Sequence, residues 1–141
     1  MPRADFYEIR GPRWELALCR QVEAAYEAGE RVCVQAGSEA EARRLDELLW
    51  TFRDEAFVPH DLCRGELRAT TPVAVGWRPG NPNDATCLVL ARDAAPQEAV
   101  GFDRVVDFAP VDMPDLVALT RRRYRAFRDA GFAVAFHKAP D

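Results

Sequence analysis

Five guanidiniums crowd one short stretch of this sequence: Arg121, Arg122, Arg123, Arg125 and Arg128. Planar arginine forks bind carboxylates and phosphates bidentately, so the stretch suits an acidic target. Set on a helix with Leu116 at the reference angle, Leu119, Ala126, Phe127 and Ala130 gather within about 100° as a core stripe. Val117, Arg121, Tyr124, Arg125 and Arg128 fall on a second face, roughly 80° to 180° away. That face combines an aliphatic, an aromatic and three guanidiniums. Taken alone it also fits a solvated basic face with Tyr124 at its edge. Arg123 falls inside the core stripe and is predicted to reach a carboxylate or a backbone carbonyl.

A second unusual group lies in the stretch from Leu45 to Leu62. A helix over residues 42–52 gathers Ala42, Leu45, Leu48, Leu49 and Phe52 within about 120°. Trp50 lies roughly 100° beyond that stripe. A large aromatic aimed away from its own core face must pack under a neighbour or receive a partner. Phe57 follows in a loop. If Trp50 and Phe57 met the basic helix face, they would form one pocket with aromatic walls and arginine forks. Such a pocket suits a short acidic peptide with an apolar end or a free carboxylate. Spacing does not establish that the two segments meet.

Other reactive side chains carry less. His60 and His137 are the only histidines. Neither has a metal-ligand partner at zinc spacing, and a loop His60 bonded to backbone is the simpler reading. Cys19, Cys33, Cys63 and Cys87 are scattered without a CxxC, and read as reduced, buried thiols. There is no GxGxxG, no GK[ST] loop and no GxSxG. The turns at Gly11 and at Gly37-Ser38 could each cradle a phosphate at a helix N-terminus, but simple caps explain them. No cofactor or metal is expected.

The formal charge of −4 opposes a broad phosphate-binding surface, so long nucleic acid is not the expected direct partner. A local basic patch on an acidic protein suits a small acidic target better. With 141 residues the chain is long enough for one full core, and residues 1–141 read as a single domain. No apolar run approaches the roughly 18 residues of a membrane span. The start of the chain lacks a hydrophobic targeting segment, so a cytoplasmic location is expected.

Alternating elements must position these residues. A strand at Asp5–Arg10 precedes a helix entered at Pro12 and closed at Gly29. A strand at Arg31–Ala36 is followed by a capping box, Ser38-Glu39-Ala40-Glu41, opening the helix that carries Trp50. Strands follow at Pro72–Trp77, Thr86–Ala91 and Arg104–Phe108, with a short helical piece around Ala95–Val100. Pro114 opens the arginine helix, Gly131 stops it, and Phe132–Phe136 reads as a last strand. This order predicts an α/β fold: a mostly parallel central sheet covered by helices on both faces.

Several pieces, in order, resemble the chi subunit family of bacterial DNA polymerase III. They are Phe6-Tyr7, Gly29-Glu30-Arg31-Val32, the block LDELLW…FVPHDL, Arg104-Val105-Val106-Asp107-Phe108, and RRRYRAFRDAGF from Arg121 to Phe132. None is a catalytic signature; their ordered set is the specific signal, and it covers nearly the whole chain. The resemblance implies a Rossmann-like three-layer fold without nucleotide chemistry. It implies two partners, the psi subunit of the clamp loader and the acidic C-terminal tail of single-stranded-DNA-binding protein, which ends in Pro-Phe. Carried over by position, the tail site uses Trp50, Phe57, Arg121, Tyr124 and Arg125. Arg128 joins them from the helical wheel. The family can carry a lysine one turn before Arg121, where Val117 stands here.

The resulting expectation is a non-enzymatic adaptor in DNA replication, touching nucleic acid mainly indirectly. The alternative is a small α/β enzyme or binding protein for a phosphorylated or acidic small molecule. A third reading, direct single-strand binding, has aromatics and arginines in its favour and net charge against it.

Overall fold

The computed structural model describes residues 1–11, 14–55, 57–67 and 70–139. Seven strands form one sheet: β1 (Arg3–Ile9), β2 (Val32–Ala36), β3 (Asp61–Leu62), β4 (Val73–Gly76), β5 (Cys87–Ala91), β6 (Arg104–Pro110) and β7 (Ala133–His137). Three helices accompany them: α1 (Trp14–Glu27), α2 (Glu39–Thr51) and α3 (Pro114–Asp129), with a 3-10 turn at Pro96–Ala99. The helix entry predicted at Pro12 lies outside the described residues. Ser38 caps α2, its Oγ accepting from the Glu41 N–H at 3.2 Å. Gly131, at φ +95°, supplies the left-handed residue that stops α3.

The strand order is β3-β4-β2-β5-β6-β1-β7, and every pairing is parallel. Parallel strands need crossovers, and right-handed crossovers fix which face each helix covers. From β1 to β2, and from β2 to β3, the chain moves toward the β3 edge, so α1 and α2 share one face. From β6 to β7 it moves the other way, which puts α3 on the opposite face.

Alternation along the strands confirms the two layers. Val32, Val34, Val73, Val75, Cys87, Val89, Val106 and Phe108 pack with Leu18, Val22, Leu45 and Leu49 of α1 and α2. Their neighbours Cys33, Leu88, Leu90 and Val105 pack instead with Phe127 of α3, together with Ala4 and Phe6. The central strands are therefore apolar on both sides, as a sheet covered on both faces requires. Each fully buried large side chain, such as Leu45 or Phe127, contributes on the order of 1.5–3 kcal/mol.

Two details depart from the sequence expectation. Residues 61 and 62, where the pattern predicts no strand, form the edge strand β3. The core stripe of α3 is centred on Thr120 and Phe127, while Leu116 and Ala130 are exposed.

Candidate functional site

Trp50 is the penultimate residue of α2. Ala42, Leu45 and Leu49 bury one side of that helix, and Trp50 emerges from the other, 50% exposed. The loop beyond brings Phe57 to it, with ring centroids 6.1 Å apart, and Phe57 is 70% exposed. Val58, fully buried, anchors that loop to the core. His60 holds the indole from beneath at a centroid distance of 4.3 Å. Its ring nitrogens face the carbonyl oxygens of Val58 at 2.6 Å and Asp46 at 2.9 Å. His60 is thus bonded to backbone, and it also positions Trp50, which spacing alone did not reveal. The result is a pre-ordered aromatic pair open to solvent, near the β3 edge.

On the other face, α3 sorts its arginines by environment. Arg123 turns inward: its Nε donates to Asp107 Oδ2 at 2.7 Å and its Nη1 to Asp93 Oδ1 at 3.1 Å. The carboxylate partner predicted for it is therefore present. Tyr124 is half-buried, its ring 5.3 Å from that of Phe6. Arg121, Arg125 and Arg128 are exposed. Among the described residues no ion pair holds Arg121 or Arg125, and Arg128 meets only its exposed neighbour Asp129 at 3.5 Å. Val117 is half-buried one turn earlier.

The structure brings Trp50 to Phe57, and aligns Arg121, Tyr124, Arg125 and Arg128 along one helix. It does not bring the two groups together. Trp50 belongs to a helix packed on β2, β3 and β4, whereas α3 packs on β6 and β7, against the other face. The single pocket expected from the sequence is corrected to two separate surfaces, because the two helices follow crossovers running in opposite directions.

A third feature is a cleft of about 380 Å³ at the carboxyl ends of β1, β5 and β6, walled by Ile9, Trp14, Leu90, Phe108, Met113 and Leu116. Open parallel sheets often hold ligands at such a place. Here the polar groups around it are already committed. Arg123 is held as above, and Arg92 donates to Glu98 at 2.6 Å and Gln35 at 3.1 Å. The Gly11 N–H, ahead of α1, donates to the Asp112 carboxylate at 2.6 Å. The chain's own anion thus sits where a phosphate would bind. At the second glycine turn, the Ser38 cap takes the equivalent place.

Elsewhere, Asp5 is buried and collects Arg3 at 2.8 Å, Arg104 at 2.7 Å and His137 at 3.0 Å. Burial alone would raise its pKa; the hydrogen bonds from His137 and Arg104 and the arginine charges outweigh it and hold the carboxyl below its ordinary value. All four cysteines are buried and free of disulfides. Burial pushes Cys19, Cys33 and Cys87 up to about 12. Among the described residues no cluster of His, Cys, Asp or Glu could hold a metal ion. No described helix is long and apolar enough to cross a membrane.

Comparison with known proteins follows the same lines. A family model described as DNA polymerase III chi subunit, HolC, matches residues 1–135. The chain is 34% identical over 143 residues to DNA polymerase III subunit chi of Pseudomonas aeruginosa, with 99% of both chains covered. It is 35% identical over 119 residues to DNA polymerase III subunit chi of Escherichia coli, covering 84% of this chain and 80% of that one. Among solved structures, T4 UvsW matches with a TM-score of 0.68 at 10% identity, over 97% of this chain and 41% of that chain. That likeness concerns the fold alone.

Proposed function

Because this chain belongs to the DNA polymerase III chi subunit family, we propose that it is an adaptor that joins the psi subunit of the clamp loader to the acidic tail of single-stranded-DNA-binding protein. Chi is an accessory, non-catalytic subunit, and its place in the cell is the cytoplasm, with the replication machinery. The observation that carries the reading is the division of surfaces. An exposed aromatic pair lies on one face of the sheet, and a basic helix with unengaged arginines lies on the other.

The chemistry of each surface selects its partner. Arg121, Arg125 and Arg128 attract the aspartates and terminal carboxylate of the tail, and Val117 and Tyr124 supply apolar contact for its Pro-Phe end. Trp50 and Phe57, on the face away from the α3 arginines, suit an apolar docking partner, and psi is assigned to them. Large exposed aromatics are the usual energetic anchors of an interface. One subunit can then hold both partners at once, which an adaptor must do.

Exposed ion pairs contribute about 0–1 kcal/mol each, so a single arginine truncation is a weak test. Reversing two charges, Arg121→Glu with Arg125→Glu, replaces attraction by repulsion and should weaken an Asp-rich, Pro-Phe-ended peptide by more than about tenfold in calorimetry. Unchanged affinity would remove the tail from α3.

The small-molecule alternative has the cleft in its favour. Against it stand Asp112 on the Gly11 amide and the committed Arg92 and Arg123. A specific thermal shift with a nucleotide or sugar phosphate would favour it. Direct binding of bare oligonucleotide in a gel shift would favour the single-strand reading.

A further inference from the structure

The sheet ends at β7 on an edge that nothing covers among the described residues: β7 pairs with β1 alone. The edge is apolar and well formed, Ala133 to His137, with Phe136 43% exposed. Proteins usually blunt such an edge with charge, proline or a bulge, because its free amides and carbonyls invite another strand. No charge or proline interrupts Phe132–Phe136. The Ala133 N–H donates to the Pro2 carbonyl at 2.9 Å, so Ala133, Ala135 and His137 direct their backbone groups to β1. By alternation, Val134 and Phe136 direct theirs outward.

Side chains place this edge beside the basic helix. Val134 packs in the α3 layer, and Phe136, two residues on, shares its face. Phe136 stands in register beside Phe6, whose ring meets Tyr124 of α3 at 5.3 Å. Tyr124 therefore lies on the β7 side of α3, while Arg123 lies on the other side, toward Asp107 of β6. The wheel puts Val117, Arg121, Arg125 and Arg128 on the Tyr124 side. The open edge and the exposed arginines therefore lie on the same side of α3.

We propose that the acidic peptide binds here by adding an eighth strand to the sheet, along the outer edge of β7. The inference rests on the acidic-tail reading above and specifies its mode. Main-chain bonds from Val134 and Phe136 supply affinity, and alternate side chains face α3. Because α3 runs back along the sheet, Val117 lies near the carboxyl end of β7 and Arg128 near its start. An acidic segment against Arg121–Arg128 with an apolar end at Val117, Tyr124 and Phe136 must run parallel to β7. The same arginines repel a second copy of this chain from the edge.

The test is amide exchange at single-residue resolution, with and without an Asp-rich, Pro-Phe-ended peptide whose binding is followed in parallel by calorimetry. Strand addition should slow exchange at Val134 and Phe136 by at least about tenfold at saturation, with little change at Ala135. It should also make Phe136→Pro, which removes an outward N–H and leaves the β1 ladder intact, weaken binding more than Phe136→Ala. Calorimetric binding without protection at Val134 and Phe136 overturns strand addition and leaves tail binding standing. Absence of calorimetric binding overturns both. Protection that grows with protein concentration in the absence of peptide would assign the edge to a second copy and overturn the proposal.

Discussion

Trp50→Ala should separate the two proposed partners. Trp50 is 50% exposed. An aromatic of its size presents up to about 250 Å², so about 125 Å² remains for a partner to cover. At about 25 cal/mol per Å² that area is worth about 3 kcal/mol as an upper limit. His60 and Phe57 already hold the ring, at 4.3 Å and 6.1 Å between centroids, so little ordering entropy is lost on docking. A loss of about 2–3 kcal/mol corresponds to about 30- to 150-fold weaker binding of psi. The acidic peptide should be unaffected. A helix layer stands about 10 Å from the sheet on each side, so α2 and α3 lie about 20 Å apart. At that distance, mutational effects should add within about 0.5 kcal/mol. Folding itself should lose only about 1–2 kcal/mol, because half of the ring is already in water. The assay is calorimetry of the variant against purified psi and against the acidic peptide, with a thermal melt as control. Trp50→Ala weakening the acidic peptide as strongly as psi would refute the two-surface reasoning, as would undiminished psi binding.

Other perturbations read out the supporting structure. Arg123→Ala strands the buried Asp107 carboxylate and should cost about 3–5 kcal/mol in urea unfolding, whereas Arg121→Ala should cost under about 0.5 kcal/mol. Asp5 has a lowered folded pKa, so its stabilisation is present above its ordinary value of 3.8 and is lost as pH falls through the folded value. The stability gap between wild type and Asp5→Asn should therefore be widest near neutrality and close in acid; a gap independent of pH down to about 2 would contradict the network. The native protein should react slowly with a thiol reagent and reveal all four cysteines in urea, since all four are buried and burial also raises the pKa of Cys19, Cys33 and Cys87.

The local elements were legible in the sequence because punctuation and periodicity are local signals. Ser38 announced α2, and Gly131 announced the end of α3. Trp50 was correctly read as leaving its helix's core stripe, since the angle between Trp50 and Leu49 depends only on helix geometry. Arg123 was legible for the same reason: a guanidinium inside an apolar stripe needs a carboxylate, and Asp107 supplies it. What could not be read was strand order. Only that order tells which way each crossover runs, and hence that α2 and α3 cover opposite faces. The stripe of α3 was misplaced because polar residues fill it: Thr120 satisfies its hydroxyl on the Leu116 carbonyl at 2.8 Å, and Arg123 pairs inward. The strand β3 is two residues long, too short to show a period. Phe136 went unnoticed because its exposure follows from β7 being an edge, which is again a matter of order.

The central claim is that this chain presents two independent docking faces. Its most direct test is the affinity of the Asp-rich, Pro-Phe-ended peptide for this chain alone and for its complex with psi, by calorimetry at matched salt. The account expects the two values to agree within about twofold, with peptide, chain and psi recovered together as a ternary complex. Displacement of psi by the peptide, or a loss of peptide affinity beyond about tenfold once psi is bound, would contradict it.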